Sequence, residues 1–150
     1  MATFQRRAVS TWSGDLKSGK GTTSAESGAF NKLKVNFAAR FVNEENQNQT
    51  NPEELVAAAH ASCYNMALSN TLAGEGNPPE KLDTRATVTL SAVDGGFKVS
   101  RIHLETEGVV PGVDEAKFAE CAETARKNCP MSVLLEPGVE EVTLEAKLVS

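Results

Sequence analysis

Asn51-Pro-Glu-Glu-Leu-Val-Ala-Ala-Ala-His-Ala-Ser-Cys-Tyr-Asn-Met-Ala-Leu-Ser-Asn-Thr-Leu72 is the stretch that decides the fold. Asn51 is a good N-cap, Pro52 suits the first helical position, and Glu54 stands three residues on as a capping-box partner. Glu53 and Glu54 put negative charge where the helix dipole favours it. From Leu55 to Leu72 the pattern is apolar nearly all round. Leu55, Val56, Ala59, Cys63, Met66 and Ala67 fall on one side, while Ala57, Ala58, Ala61, Tyr64 and Leu68 cover much of the rest. A helix without a wet face is buried. Its alanines let neighbouring backbone approach closely, and it ends at Gly74-Glu75-Gly76, with Pro78-Pro79 beyond.

Upstream of this helix the chain reads as β. Ala8 to Trp12 is a short strand that ends in the turn cluster Ser13-Gly14-Asp15, and Gly19-Lys20-Gly21 punctuates the chain before Thr22 to Ser27. Lys32 to Phe37 alternates, with Leu33, Val35 and Phe37 on one face. Asn43 to Thr50 carries no apolar residue and reads as an exposed loop. Downstream, Ala86, Val88, Leu90 and Ala92 alternate up to an Asp94-Gly95-Gly96 turn, the signature of a hairpin. Phe97 and Val99 resume it, but Ile102 and Leu104 continue on the opposite parity, which predicts a bulge between them. Asp114 can cap a second helix with the stripe Phe118, Cys121, Ala122, Ala125 and Cys129. Pro130 stops that helix and starts a short turn through Leu135. After the loop at Glu136-Pro137-Gly138, Val142, Leu144, Ala146 and Leu148 alternate as a last strand. The order implies a single α+β domain over 1–150 with antiparallel sheet. An all-round apolar helix needs more cover than these few strands provide, and a dimer in which each chain covers the other's helix meets the need.

The bulk properties exclude several classes. The 150 residues carry 15 basic and 20 acidic side chains, a net charge of -5, and no basic cluster, so nucleic acid is not an expected partner. Met1 to Ser10 has no apolar run and does not read as a secretory signal. Nothing approaches the ~18 consecutive apolar residues of a membrane span. Three widely spaced cysteines do not form a secreted disulfide framework, and a reducing cytoplasm is the economical reading.

With no phosphate loop, dinucleotide fingerprint or nucleophile-elbow serine, the search for chemistry narrows to cysteine. Two readings stand at Cys63. As a small buried hydrophobe it is inert, its pKa raised by desolvation. As a nucleophile it needs a cation to hold the thiolate, because a mid-helix position gains little from the dipole. Arg40, set among Phe37, Ala38, Ala39, Phe41 and Val42, is the candidate cation, and Glu53 is a carboxylate able to hold a buried arginine. Cys129, directly before Pro130, stands either at the N-cap of the following turn, where backbone N–H groups favour a thiolate, or at the end of a core stripe. Cys121 shares that stripe and reads as core. His60, Cys63 and Cys129 are the nearest thing to a metal site, but a structural zinc site wants four ligands in paired clusters, so zinc stands behind thiol chemistry. His103, in a strand, reads as exposed.

The stretch Asn51 to Ser69 closely resembles the first-cysteine motif of the OsmC/Ohr family, the osmotically induced and organic hydroperoxide resistance proteins. Lys127-Asn-Cys129-Pro-Met-Ser-Val-Leu134 resembles its second-cysteine motif. The resemblance runs over essentially the whole chain, and Trp12 to Thr22 with Glu26-Ser27-Gly28 is similar to the OsmC branch. Met131 stands where valine is common, and Asn43 to Thr50 is longer than the family's usual loop. The resemblance implies antiparallel sheets around two central helices in an intertwined homodimer, and thiol-dependent reduction of hydroperoxides, organic ones preferred. By motif, Cys63 is the peroxidatic thiolate, Cys129 the resolving cysteine, Glu53 the active-site glutamate and Arg40 the arginine. No metal, haem or flavin is implied; the resemblance implies an external dithiol, of the lipoyl type, to reduce the disulfide. A non-catalytic thiol redox sensor and a zinc-binding module are the alternatives.

Overall fold

A computed structural model of the chain describes residues 1–42 and 48–150. They group into two compact units, Met1–Pro52 and Glu53–Ser150.

In the first unit, strands β1 (Ala8–Ser13), β2 (Lys20–Ala25) and β3 (Leu33–Asn36) form an antiparallel sheet in that order. Trp12 pairs with Gly21 across β1 and β2. A Cβ on Gly21 would lie 2.7 Å from the Trp12 ring and 2.9 Å from the Thr11 carbonyl, so the indole occupies space that only glycine leaves open. The alternation expected to run through Phe37 stops one residue earlier. Asn36 turns out of the strand and its Oδ1 accepts from Ala39 N at 2.8 Å, capping a short helix α1 (Phe37–Phe41). Phe37 and Phe41, one helical turn apart, bring their rings to 4.9 Å. Of the loop expected over 43–50, residues 43–47 lie outside the described residues. Thr50 departs from the expected exposure: it is buried, bridges to Val35, and its N–H donates to Lys34 O at 2.8 Å.

The second unit is organised by α2 (Pro52–Gly74). Every fourth residue from His60 on, His60, Tyr64, Leu68 and Leu72, is fully buried. The opposite side is not. Ala58, Ala59 and Ser62 are exposed and Met66 retains 75% of its surface, so the expected burial on every side is not reached within one chain. The buried stripe packs on a sheet in which β4 (Lys81–Val93) and β5 (Gly96–Val109) form the expected hairpin, turning at Gly95 with φ 86°. The expected bulge is present. Thr89 pairs with Arg101 and Leu90 with Val99, which leaves Ser100 as the extra residue and switches the parity of the core-facing side chains.

The sheets are antiparallel as expected, with one parallel pairing. β6 (Glu141–Leu148) runs parallel to β5. The chain between them passes through α3 (Glu115–Asn128), α4 (Pro130–Leu135) and a single 3-10 turn (Glu136–Gly138), the long crossover that a parallel pair requires. Asp114 caps α3 as expected, its Oδ1 accepting from Lys117 N at 2.8 Å. Phe118, Cys121, Ala122 and Ala125 are the buried face of α3 and join Tyr64, Leu68, Leu72, Leu104 and Val110 in the core. No helix among the described residues is long and apolar enough to cross a membrane.

The Phe118 ring lies directly over the backbone of Gly108. A Cβ there would stand 2.5 and 2.6 Å from the ring and 3.2 Å from Leu82 Cδ2. Phe118 is fully buried and has nowhere to go. Gly108→Ala is therefore expected to cost about 1–3 kcal/mol, the scale of overpacking a filled core. Urea unfolding of the reduced protein measures it.

Candidate active site

The site is built where α2 meets the junction of α3 and α4. Pro130 imposes an extended conformation on the residue before it, and Cys129 has φ -61°, ψ 122°. That residue ends α3 and opens α4, as its position before proline predicts. Its N–H still donates to Ala125 O at 2.8 Å and its carbonyl accepts from Val133 N at 3.0 Å. The kink therefore leaves neither of Cys129's own backbone groups unpaired. Its side chain is fully buried at the end of the Phe118 stripe, as the core reading expects; it stands at the N-cap of α4 but makes no side-chain capping hydrogen bond.

Cys63 lies half-buried on α2, within hydrogen-bonding reach of the Cys129 thiol. Burial pushes the Cys63 thiol above its ordinary value. A hydrogen bond from the Met131 backbone N–H pulls it down, and the Cys129 thiol raises it again. The balance is upward, so the second unit by itself supplies the dithiol and not the low-pKa thiolate that a nucleophile requires. Cys121 is buried in the core and its thiol is likewise pushed up by burial, as the core reading expects.

The remaining candidates fall differently. Glu53 is buried in the first turn of α2, in the second unit. Arg40 belongs to the first unit and is exposed, a correction to the buried arginine expected from its apolar neighbours. Ala39 is the residue that α1 buries; Arg40 stands on the outer side of this short helix, its guanidinium carbon 5.0 Å from the Phe41 ring centroid. His60 is not grouped with Cys63 and Cys129 as a set of metal ligands. Among the described residues the ligand atoms of three such groups gather only at His103, Glu105 and Glu145, on β5 and β6. His103 is half-buried, its Nδ1 2.7 Å from Thr143 Oγ1, where exposure was expected.

Three features of the site were not read from the sequence. His60 Nε2 and Ser132 Oγ form a fully buried hydrogen bond of 2.7 Å between α2 and α4. Arg126, largely buried at the end of α3, is bidentate to Glu123 at 2.8 and 3.0 Å and reaches Glu136 at 3.3 Å, tying α3 to the 3-10 turn beyond α4. Tyr64 Oη donates to Ala122 O at 3.1 Å, fixing α2 against α3, and burial holds its phenol well above its ordinary value. The only signal available was a matched spacing: His60 and Cys63, like Cys129 and Ser132, are three residues apart.

A pair of thiols in contact, one half-buried on a helix and one locked at a helix junction, defines a dithiol protein of the α+β class. The chain belongs to the OsmC-like protein family, whose signature matches residues 44–144. It is 43% identical over 148 residues to peroxiredoxin OsmC of Escherichia coli K12, covering 99% of each chain. It is 34% identical over 106 residues to the organic hydroperoxide resistance protein OhrB of Bacillus subtilis 168, covering 69% of this chain and 74% of that protein. The crystal structure of Bacillus subtilis OhrB superposes with a TM-score of 0.74 at 27% identity, over 97% of this chain and 99% of that one. An OsmC-like protein from Mycoplasma pneumoniae shares the fold at the same TM-score and 18% identity, over 99% and 100% of the two chains.

Two outcomes follow from this geometry. Mild oxidation with diamide is expected to give one internal disulfide, Cys63–Cys129, with Cys121 recovered as a free thiol on peptide mapping; a Cys121 disulfide would contradict it. Stability should also depend on His60. Burial lowers its pKa from the ordinary 6.5. Above that value nothing is lost; below it the unfolded chain takes a proton that the folded chain refuses, and stability falls with pH. The slope is at most about 1.4 kcal/mol per pH unit. Urea unfolding between about pH 7 and pH 5 should show this component in the wild type and lose it in His60→Gln.

Proposed function

We propose that this chain reduces organic hydroperoxides, and hydrogen peroxide more weakly, with Cys63 as the attacking thiolate and Cys129 as the resolving cysteine. It is a cysteine-based peroxidase, and its place is in defence against oxidative and osmotic stress. The observation that carries the assignment of roles is the contact between a half-buried thiol and a fully buried one. Peroxide can approach the first, and the second is sheltered from it.

The Cys63 thiolate attacks the distal peroxide oxygen, the O–O bond breaks, and the leaving alkoxide takes a proton to depart as alcohol. Cys63 is now a sulfenic acid. The Cys129 thiol attacks its sulfur, water leaves, and the disulfide protects Cys63 from further oxidation. An external dithiol, lipoyl in type, then exchanges with the disulfide and returns both thiols.

Burial within the second unit holds Cys63 protonated, so the first step needs a cation. Arg40 fills that role in this reading, lowering the thiol pKa and stabilising charge on the leaving oxygen, while Glu53 fixes the guanidinium by bidentate bonds. Residues 1–150 work as one domain, in the cytoplasm, within an intertwined homodimer. Support for the dimer comes from the apolar surface left open on one chain: Met66 and the alanines beside it on α2, and Val133 and Leu134 on α4.

The test is consumption of an alkyl hydroperoxide and of hydrogen peroxide with a dithiol reductant. Cys63→Ser should abolish turnover, and Cys129→Ser should over-oxidise at low peroxide. Arg40→Met should slow the first step by about 10²–10³, the scale of losing one transition-state charge stabiliser, and should raise the pH at which Cys63 alkylates. A reduced wild type that turns over neither peroxide would move the chain to the sensor class.

A further inference from the structure

The buried pair His60 and Ser132 takes no part in the chemistry above, yet it is the most enclosed polar contact near the thiols. His60 is 0% exposed and Ser132 1%, and their hydrogen bond measures 2.7 Å. Each partner stands three residues from a thiol on its own segment: His60 before Cys63 on α2, Ser132 after Cys129 at the start of α4. His60 and Cys63 share a face of α2, and Ser132 lies in the first turn of α4, three residues after its N-cap Cys129. The two segments therefore meet at two neighbouring rungs, thiol against thiol and imidazole against hydroxyl.

α4 is also held by Met131, which packs against the core, and by the Arg126–Glu136 contact just beyond its end, but neither fixes its rotation as a buried hydrogen bond does. The helix is six residues long, too short to be stable by itself, and within one chain Val133 and Leu134 are exposed. Ser132 is its one fully buried side chain. An apolar contact at that point would let α4 slide or roll, whereas a hydrogen bond is directional and fixes the rotation of the helix. Disulfide closure is demanding in the same respect, because it needs the two Cβ atoms about 3.5–4.5 Å apart and correctly turned. The arrangement also carries a cost. His60 Nδ1 is buried and has no hydrogen-bond partner among the described residues, which an aliphatic side chain at this position would avoid.

We propose that the His60–Ser132 hydrogen bond is the positioning device of the resolving step, holding Cys129 where it can close on Cys63. The proposal rests on the reading of Cys129 as the resolving cysteine. In that step the Cys129 thiol attacks the Cys63 sulfenic sulfur, the S–S bond forms, the S–OH bond breaks, and the thiol proton leaves with the hydroxyl as water. His60 touches neither reacting atom in this scheme; it acts through α4.

Single-turnover oxidation by an alkyl hydroperoxide, quenched and read by mass spectrometry, separates sulfenic acid formation from disulfide closure. In His60→Leu and Ser132→Ala the first rate should stay within about twofold of wild type, while closure slows about tenfold, the scale of one lost buried hydrogen bond. Both variants should reach the sulfinic acid at lower peroxide. His60→Gln, whose amide nitrogen can stand in for Nε2, should recover most of the closure rate. Closure unchanged in both variants, both steps falling together, or glutamine behaving like leucine would each overturn the proposal. A second readout needs no peroxide. In a glutathione redox buffer the effective concentration of the Cys63–Cys129 pair should fall about tenfold in Ser132→Ala. If wild type closes its disulfide in that buffer but does not react with peroxide, the peroxidase reading fails while the positioning role is still decided by the variants.

Discussion

Proline crowds a preceding residue held in helical conformation and pushes it toward an extended one, and in this chain the residue before Pro130 is a cysteine. That steric constraint stops α3 at Asn128, starts α4 in a new direction, and leaves the Cys129 side chain at the buried vertex between them. The elements around it serve to aim that vertex. Phe118 seats α3 on the sheet through the space left by Gly108, Tyr64 ties α2 to α3, and Arg126 closes the far side of α4 through Glu123 and Glu136. Because the neighbouring backbone bonds to Ala125 and Val133 are kept, the kink costs little of the pairing that a buried chain break would otherwise lose.

The dithiol also shows a conflict between two requirements. Bringing two sulfurs into contact inside a core demands burial, and burial favours the neutral thiol. Cys63 bears the conflict directly, with its thiol pushed up by desolvation and by Cys129 and drawn down only by the Met131 N–H. Mid-helix, it has no share in the positive end of a helix dipole, which acts only within the first turn. A packed pair of cysteines at rest is thus a protected pair, and reactivity has to come from charge added to the packing rather than from the packing itself.

Much of this is legible in the sequence. The limits of α2, the hairpin and its bulge, the Asp114 cap and the Cys129 junction each rest on local rules: proline and glycine positions, side-chain caps, and the parity switch between Val99 and Ile102. What failed was non-local. Asn36 could extend a strand or cap a helix, and only tertiary context chose the cap. The strand pattern of 142–148 is the same whether it pairs parallel or antiparallel, and the crossover decides it. All-round apolarity in α2 was read as all-round burial, but alanine tolerates exposure well and one side remains open in a single chain. Arg40 was expected inside because its neighbours are apolar in sequence, a weak guide on a helix one turn and a half long. The His60–Ser132 pair joins residues 72 positions apart, beyond the reach of any spacing rule applied to one segment.

The offset of Cys63 from the buried stripe of α2 explains how one sulfur can face two partners. His60, Tyr64, Leu68 and Leu72 recur every four residues and define the core-facing line of the helix. Each residue turns the helix by about 100°, so Cys63, one position before Tyr64, stands off that line and next to the exposed side that carries Met66. On the line itself it would be sealed as Tyr64 is; on the opposite side it would never meet Cys129. At the margin it is half-buried, with the second thiol beneath it and an approach from outside left open. The same geometry makes His60, a turn earlier and on the line, fully enclosed. One helix thus presents a half-buried thiol and a fully enclosed imidazole to the same short segment, and the difference in their exposure is a rotation of the helix.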